Sequence, residues 1–389
     1  MMNGGEVDRG TKVLEFYADE RKTEYAILSH RWQEGREVGY EEMVRLAETD
    51  QKEREEIRER AGYQKILQSC KQAKKDGYRW LWIDTCCIDK RSSAELSEAI
   101  NSMYRWYENS TVCYAYLHDV DGSSFPTEPD TTRYPTSNGW PEWFSRGWTL
   151  QEMIAPSDVW FFNKDWKPIN NKKVLGHTLA RITRVPERIL TDGLSSNRPC
   201  VAQIMSWAAD RTTSRDEDRA YSLLGLLDVN MPMLYGEGKK AFRRLQLEII
   251  RMSNDQSIFA WGCGRRDQRS PDDGQDWESP ANNGQGPPDN GQGPPDNGQG
   301  PPDNGQDERT RSPGNGRDQR RRDQRTGSIL ADDPSFFRDC HEMELIDHNT
   351  FIQSLKANKE LLRSIEIWSI PYYQLRHPNS AIPLSLCRF

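Results

Sequence analysis

Nowhere in its 389 residues does this chain run to the roughly 18 consecutive apolar residues that a membrane-spanning helix needs. Its opening, MMNGGEVDRG, has no apolar core of the kind a signal peptide carries. These absences predict an intracellular, cytoplasmic chain. Its eight cysteines contain one adjacent pair, Cys86 and Cys87, and no CxxC, so no disulfide framework is expected. Reduced, mostly buried thiols are the expectation instead. Lys and Arg number 53 against 60 Asp and Glu, for a net charge of −7. That balance excludes a surface built to coat nucleic acid, which needs a concentrated excess of cations. The one basic cluster, RDQRRRDQR from Arg317 to Arg325, is interrupted by aspartates and reads as solvated chain.

What is present is an alternation of short apolar runs with helical stripes. Tyr25-Ala26-Ile27-Leu28-Ser29 ends in His30-Arg31-Trp32, Trp80-Leu81-Trp82-Ile83 ends in Asp84, and the run from Val112 to Leu117 ends in His118-Asp119. Between the first two runs, Ile66, Leu67, Cys70 and Ala73 recur at helical spacing until Gly77. Between the second and third, Ile100, Met103, Tyr104 and Tyr107 mark another helix begun near Ser92 or Ser93, with Glu95 and Glu98 close to its positive end. Strand, helix, strand, helix, strand predicts an α/β fold with a parallel sheet flanked by helices. Ligands of such sheets sit beyond the carboxyl ends of the strands, here Ser29 to Trp32, Asp84 to Asp89 and His118 to Asp119.

Residues 200–252 read as helical, with Ser214-x-x-Glu217 as a capping-box candidate and Phe242, Leu245, Ile249 and Met252 as a packing stripe. Asp216, Glu217, Asp218 and Arg219 are expected to cap and pair along a helix. Gly236-Glu237-Gly238-Lys239 lacks both the GxxxxGK[ST] pattern and a preceding strand, so it reads as a helix-starting turn rather than a phosphate loop. From Gly284 to Asn304 the heptapeptide GQGPPDN occurs three times in tandem, without an apolar position. Such a segment cannot bury enough surface to offset chain ordering, which predicts a disordered linker.

Four blocks, YAILSHRW at 25–32, LWIDTCCIDK at 81–90, WFSRGWTLQE at 143–152 and the long helical block at 205–246, stand in an order and spacing that resembles the HET domain of fungal heterokaryon-incompatibility proteins. The resemblance covers about residues 25–260. It implies a TIR-like (flavodoxin-like) parallel sheet and a role in non-self recognition leading to growth arrest or cell death. The expected organisation is an N-terminal extension at 1–24, a HET domain at 25–260 with its α/β core at 25–160 and a mainly helical extension at 161–260, a linker at 264–334, and a tail or small module at 335–389.

In TIR domains that cleave NAD, a Trp-Cys-x-x-Glu segment supplies the catalytic glutamate. The corresponding pattern here is Trp148-Thr149-Leu150-Gln151-Glu152, with Thr149 in the place of the cysteine. The i to i+4 spacing sets the indole and the carboxylate on one helical face. Glu152 is therefore the candidate catalytic residue, against a paired-carboxylate reading in which it answers Arg146. The candidate substrate-binding residues are Ser29, His30, Arg31, Trp32, Asp84, Cys87, Asp89 and Trp148. Arg31 would act by charge and Trp32 by stacking on a dinucleotide, with strand-end capping and packing as the alternative. For Asp84 and Asp89 the alternative is turn stabilisation through hydrogen bonds to the backbone.

No resident cofactor and no metal are expected, NAD being a possible substrate. Cys86, Cys87, Cys113 and His118 are a poor tetrahedral template, and a Cys87 thiol hydrolase working with His30 or His118 has little support. The resemblance also implies self-association, with other incompatibility or NLR-type proteins as further partners. A non-catalytic death-signalling adaptor acting through homotypic contacts is the alternative.

Overall fold

Each apolar run that ends in a polar cluster becomes a strand of one sheet. The computed structural model describes residues 2–3, 23–46, 51–195, 198–262, 329–346 and 386–388. Its strands β1 (Met2–Asn3), β2 (Ala26–His30), β3 (Trp80–Trp82), β4 (Val112–Tyr116), β5 (Val159–Phe162) and β6 (Pro168–Asn171) lie in the order β1-β3-β2-β4-β5-β6. The neighbours among β2 to β5 are parallel, while β1 and β6 are antiparallel edges. Counted from β2, the four parallel strands follow the 2-1-3-4 order of doubly wound sheets of the flavodoxin type. The predicted α/β class and parallel sheet are observed.

Both faces of the sheet are covered, which is why its strands read as unbroken apolar runs. On one face Ala26, Leu28, Val112 and Tyr114 pack against α1 (Tyr40–Arg45), α2 (Gln51–Glu59) and α3 (Ala61–Lys75) through Met43, Ile57, Ile66 and Cys70. On the other, Tyr25, Ile27, Cys113 and Ala115 pack against α4 (Ser93–Glu108) and α5 (Thr149–Ile154). The predicted helix starts and stops are observed where the chemistry is local. Ser92 caps α4 by accepting from the Glu95 amide at 3.2 Å, and Gly77 ends the α3 region at a positive φ of 88° that a side chain would resist.

The later helices, α6 (Gly176–Thr183), α7 (Glu187–Asp192), α8 (Val201–Ala208), α9 (Asp218–Tyr221), α10 (Leu224–Leu227) and α11 (Lys240–Met252), join the same hydrophobic cluster as α4 and α5. They are a continuation of that core, not an appended layer. Gly225 of α10 comes so close to α4 that an added Cβ would lie 2.1 Å from the Cβ of Tyr104. Because that atom is fixed to the backbone, Gly225→Ala is expected to cost about 1–3 kcal/mol, read as a lower urea midpoint. An unchanged midpoint would show that the two helices can part freely.

Three expectations are corrected. The boundary at residue 160 falls inside β5, and the sheet continues to Asn171 through the polar edge strand β6. Ser214 and Glu217 form no capping box. Glu217 accepts from the amides of Gly236 at 2.7 Å and Gly238 at 2.9 Å, tying down the turn before α11. Residues 329–334, expected as linker, pack on the helices. Gln246 and Ala331 exchange two hydrogen bonds, Asp333 pairs with Arg219, and a 3-10 turn at Pro334–Cys340 packs on α8. The segment ends in β7 (Glu344–Ile346), which pairs antiparallel with β8 (Leu386–Arg388). The linker expectation for 263–328 and the tail at 347–385 lie outside the described residues.

Candidate functional site

Successive strand residues point to opposite faces, so Ser29 follows Tyr25 and Ile27 toward α5 while His30 follows Ala26 and Leu28. The Ser29 hydroxyl donates to Glu152 Oε2 at 2.5 Å and accepts from Trp143 Nε1 at 2.8 Å. An indole N–H can only donate, so the single Ser29 proton is directed at the carboxyl. Glu152 lies on α5, where every residue from Thr149 to Ile154 is buried.

Beside this relay is a cleft of about 250 Å³. His30, Trp32 and Asp84 approach from the strand ends, Trp148 and Glu152 from the start of α5, and Arg146, Asp218 and Tyr235 from later in the chain. Trp32, 46% exposed, donates from Nε1 to Asp84 Oδ2 at 2.8 Å, and Lys90 Nζ stands 3.8 Å above its ring. Across the cleft the Tyr235 hydroxyl donates to Asp218 Oδ1 at 3.0 Å. His30 is buried, with Glu37 and Asp84 carboxylate oxygens each 3.8 Å from Nε2 and no hydrogen bond at either ring nitrogen.

Burial governs the titration of these groups. It pushes the Glu152 carboxyl up to about 8, reinforced by the charge of Asp84 and opposed by Ser29, Arg211 and Tyr107. Burial likewise raises Asp84 and Asp218, and lowers His30 and Lys90. Arg211, buried beneath α5, is drawn down to about 9 by desolvation against the favourable charge of Glu152. Its Nη1 donates to the Arg146 carbonyl at 2.9 Å and to Thr149 Oγ1 at 3.0 Å.

The Glu152 shift has a consequence for stability. The folded carboxyl keeps its proton to about pH 8, whereas an ordinary glutamate loses it near 4.5. Between those values the folded chain holds the extra proton, so raising the pH favours unfolding by up to about 1.4 kcal/mol per pH unit. Glu152→Gln is therefore expected to melt higher than wild type at pH 8, with the gap shrinking toward pH 5. A gap that stays constant across this range would mean the carboxyl titrates normally.

Of the residues singled out from sequence, His30, Trp32, Asp84, Trp148 and Glu152 line the cleft, and Ser29 stands behind Glu152. Arg31 faces away, paired with Glu142 at 3.0 Å. Asp89 is chelated by Arg91 at 2.8 Å, and the Cys87 thiol accepts from the Ile83 amide at 3.4 Å. The thiol is pulled down by its hydrogen bond with Cys86. Neither His30 nor His118 is hydrogen-bonded to it, and His118 stands instead 3.5 Å from Glu142. Cys86, Cys87, Cys113 and His118 do not assemble as ligands. Among the described residues the convergent set is His118, Asp119 and Glu142, with Arg31 already on Glu142. The residues missed are Lys90, Arg146, Arg211, Asp218 and Tyr235. For Arg211 and Asp218 the density of polar residues in 210–219 is the one local signal, and it reads equally well as helix capping.

Among the described residues no helix is long and apolar enough to cross a membrane. Residues 25–140 match the family model of the heterokaryon incompatibility protein (HET), and residues 240–287 match that of a domain of unknown function, DUF8212. The vegetative incompatibility protein HET-E-1 of Podospora anserina is 41% identical over 227 residues, which is 58% of this chain and 16% of that protein. The chain thus spans a small part of the length of this relative. No solved structure matches. The HET match contains Ser29, His30, Trp32 and Asp84 and stops ahead of Trp148 and Glu152.

Proposed function

We propose that this chain, which matches the heterokaryon incompatibility (HET) family model over residues 25–140, acts in heterokaryon (vegetative) incompatibility, triggering cell death on non-self recognition by hydrolysing NAD. The observation that carries the chemistry is a buried carboxyl, Glu152, oriented by Ser29 in a cleft that Trp148 of the same helix start also lines. At about 250 Å³, just below the ~300–1,000 Å³ typical of ligand pockets, the cleft suits the nicotinamide riboside half of NAD rather than the whole dinucleotide.

The reaction breaks the bond between the ribose C1′ and the pyridinium nitrogen. Nicotinamide leaves neutral with the bonding pair, and water adds to C1′ with loss of one proton, giving ADP-ribose. Positive charge builds on the ribose as the bond breaks, and a carboxylate fixed beside it in a partly dry site stabilises that state. Glu152 holds its proton to about pH 8 in the protein by itself. The cationic pyridinium of the substrate favours the ionised form, so the substrate helps to charge the group that acts on it. Lys90, Arg146 and Arg215 line the same cleft and supply charge for the pyrophosphate, in place of Arg31. The TIR-like chemistry rests further on the strand order and the Trp148 to Glu152 spacing, and it implies an oligomeric active form.

Incubating the purified protein and its Glu152→Gln form with NAD, under conditions that allow self-association, tests this reading through released nicotinamide. A non-catalytic adaptor acting by homotypic contacts is favoured by one observation: Arg31 and Asp89 are engaged with Glu142 and Arg91 rather than turned to the cleft.

A further inference from the structure

Arg211 serves two clefts. Its Nη1 reaches Thr149, which lines the first, while the residue also lines a second cleft of about 420 Å³. Four arginines, Arg181, Arg184, Arg211 and Arg338, border that second cleft against one acid, Asp210. Asp210 takes Arg338 Nε at 2.7 Å and Arg184 Nη1 at 3.8 Å, and Arg181 reaches out to the exposed Glu128 at 3.2 Å. Arg211, 4% exposed, has no carboxylate partner among the described residues.

Two buried N–H groups in this wall have no hydrogen-bond acceptor, Arg211 Nη2 and Trp207 Nε1, on residues 4% and 3% exposed. Guanidinium and indole groups only donate, so what satisfies them must accept. A neutral acceptor would leave the Arg211 charge without a counter-charge and Arg184 and Arg338 sharing Asp210. An oxyanion with several acceptor oxygens satisfies the donors and offsets the charge together, the arrangement in which guanidinium forks bind phosphate best. Trp140 and Phe144 give the same cleft an apolar side.

We propose that this cleft binds a phosphate-bearing small molecule at a site separate from the Glu152 cleft. Because Arg211 is shared, an anion bound here competes for the charge that acts on Glu152, which makes the second cleft a place from which the first can be tuned.

Calorimetric titration of the full chain with inorganic pyrophosphate, and separately with ADP, tests the assignment, with sulfate at matched ionic strength as control. Saturable binding of pyrophosphate is expected, weakened about tenfold or more by Arg181→Ala and by Arg338→Ala. Asp210→Asn, which removes the competing acid, is expected to strengthen it. Arg181 is 45% exposed near the end of α6, so its alanine variant keeps the fold, checked by an unchanged melting temperature, even if Arg338→Ala loosens the returning segment. ADP binding tighter than pyrophosphate identifies a nucleotide held on the aromatic side, and equal binding identifies the phosphates alone. No binding at millimolar pyrophosphate, sulfate binding as well as pyrophosphate, or equal affinity in wild type, Arg181→Ala and Arg338→Ala would each overturn the proposal.

Discussion

Glu152→Gln is expected to lower nicotinamide release from NAD by ~10²–10³-fold, the loss typical of removing one preorganised group that meets transition-state charge. Glutamine keeps the shape of the side chain and still accepts the Ser29 proton, so the loss isolates charge from packing. Because the charge on the ribose develops after binding, the effect belongs in kcat more than in KM. Ser29→Ala leaves the carboxyl in place but removes the hydroxyl that orients it at 2.5 Å, and a loss of about 10–100-fold follows from one charge-assisted hydrogen bond. The pH profile separates the two variants from a merely structural role. In wild type kcat/KM reports the free protein, so it should rise with pH until the carboxyl ionises near 8. Equal release by wild type and Glu152→Gln, or none from either, removes the Glu152 mechanism. A folded Glu152→Gln protein that still kills cells favours the adaptor.

The second large effect is on folding. Trp143 is fully buried, meets Phe144 and Phe161 edge-on at centroid distances of 5.0 and 5.7 Å, and anchors the Ser29 relay. Trp143→Ala is expected to cost about 3–5 kcal/mol, a large share of the ~5–15 kcal/mol that holds a typical domain folded. Trp143→Phe retains most of the packing and deletes the indole donor, so it should lose much less stability while still disturbing Glu152. Urea unfolding of both variants, with comparable slopes, checks the order. A loss below about 1 kcal/mol in Trp143→Ala would show that the cluster re-forms without its largest member.

How much of this was legible depended on whether the deciding contact was local. The runs at 25–29, 80–83 and 112–117 read correctly as strands because both sheet faces are buried and each strand end turns polar within a residue or two. Ser92 read correctly as a cap because its donor, the Glu95 amide, lies three residues away. Glu217 had an equally local reading, but two amides at Gly236 and Gly238 outcompeted it. Edge strand β6 offered only Pro-Ile-Asn-Asn, without the apolar alternation that marks a strand. Residues 329–334 carry polar neighbours and read as linker, yet Leu330 and Ala331 are buried and Gln246 closes on Ala331 from both of its amide atoms. Half of the cleft was visible as strand-end residues. The other half, Asp218 and Tyr235, is distant in sequence, and nothing short of the fold sets it opposite Trp148.

That distance bears on how such a protein is made. The cleft closes only when Asp218 and Tyr235 reach the residues that end β2, and at ~5–20 residues per second of synthesis the later wall emerges ~10–40 s after Ser29. A nascent chain therefore carries the serine, the histidine and the carboxyl well before it carries a finished cleft. The two-sided cleft exists only once synthesis has passed Tyr235.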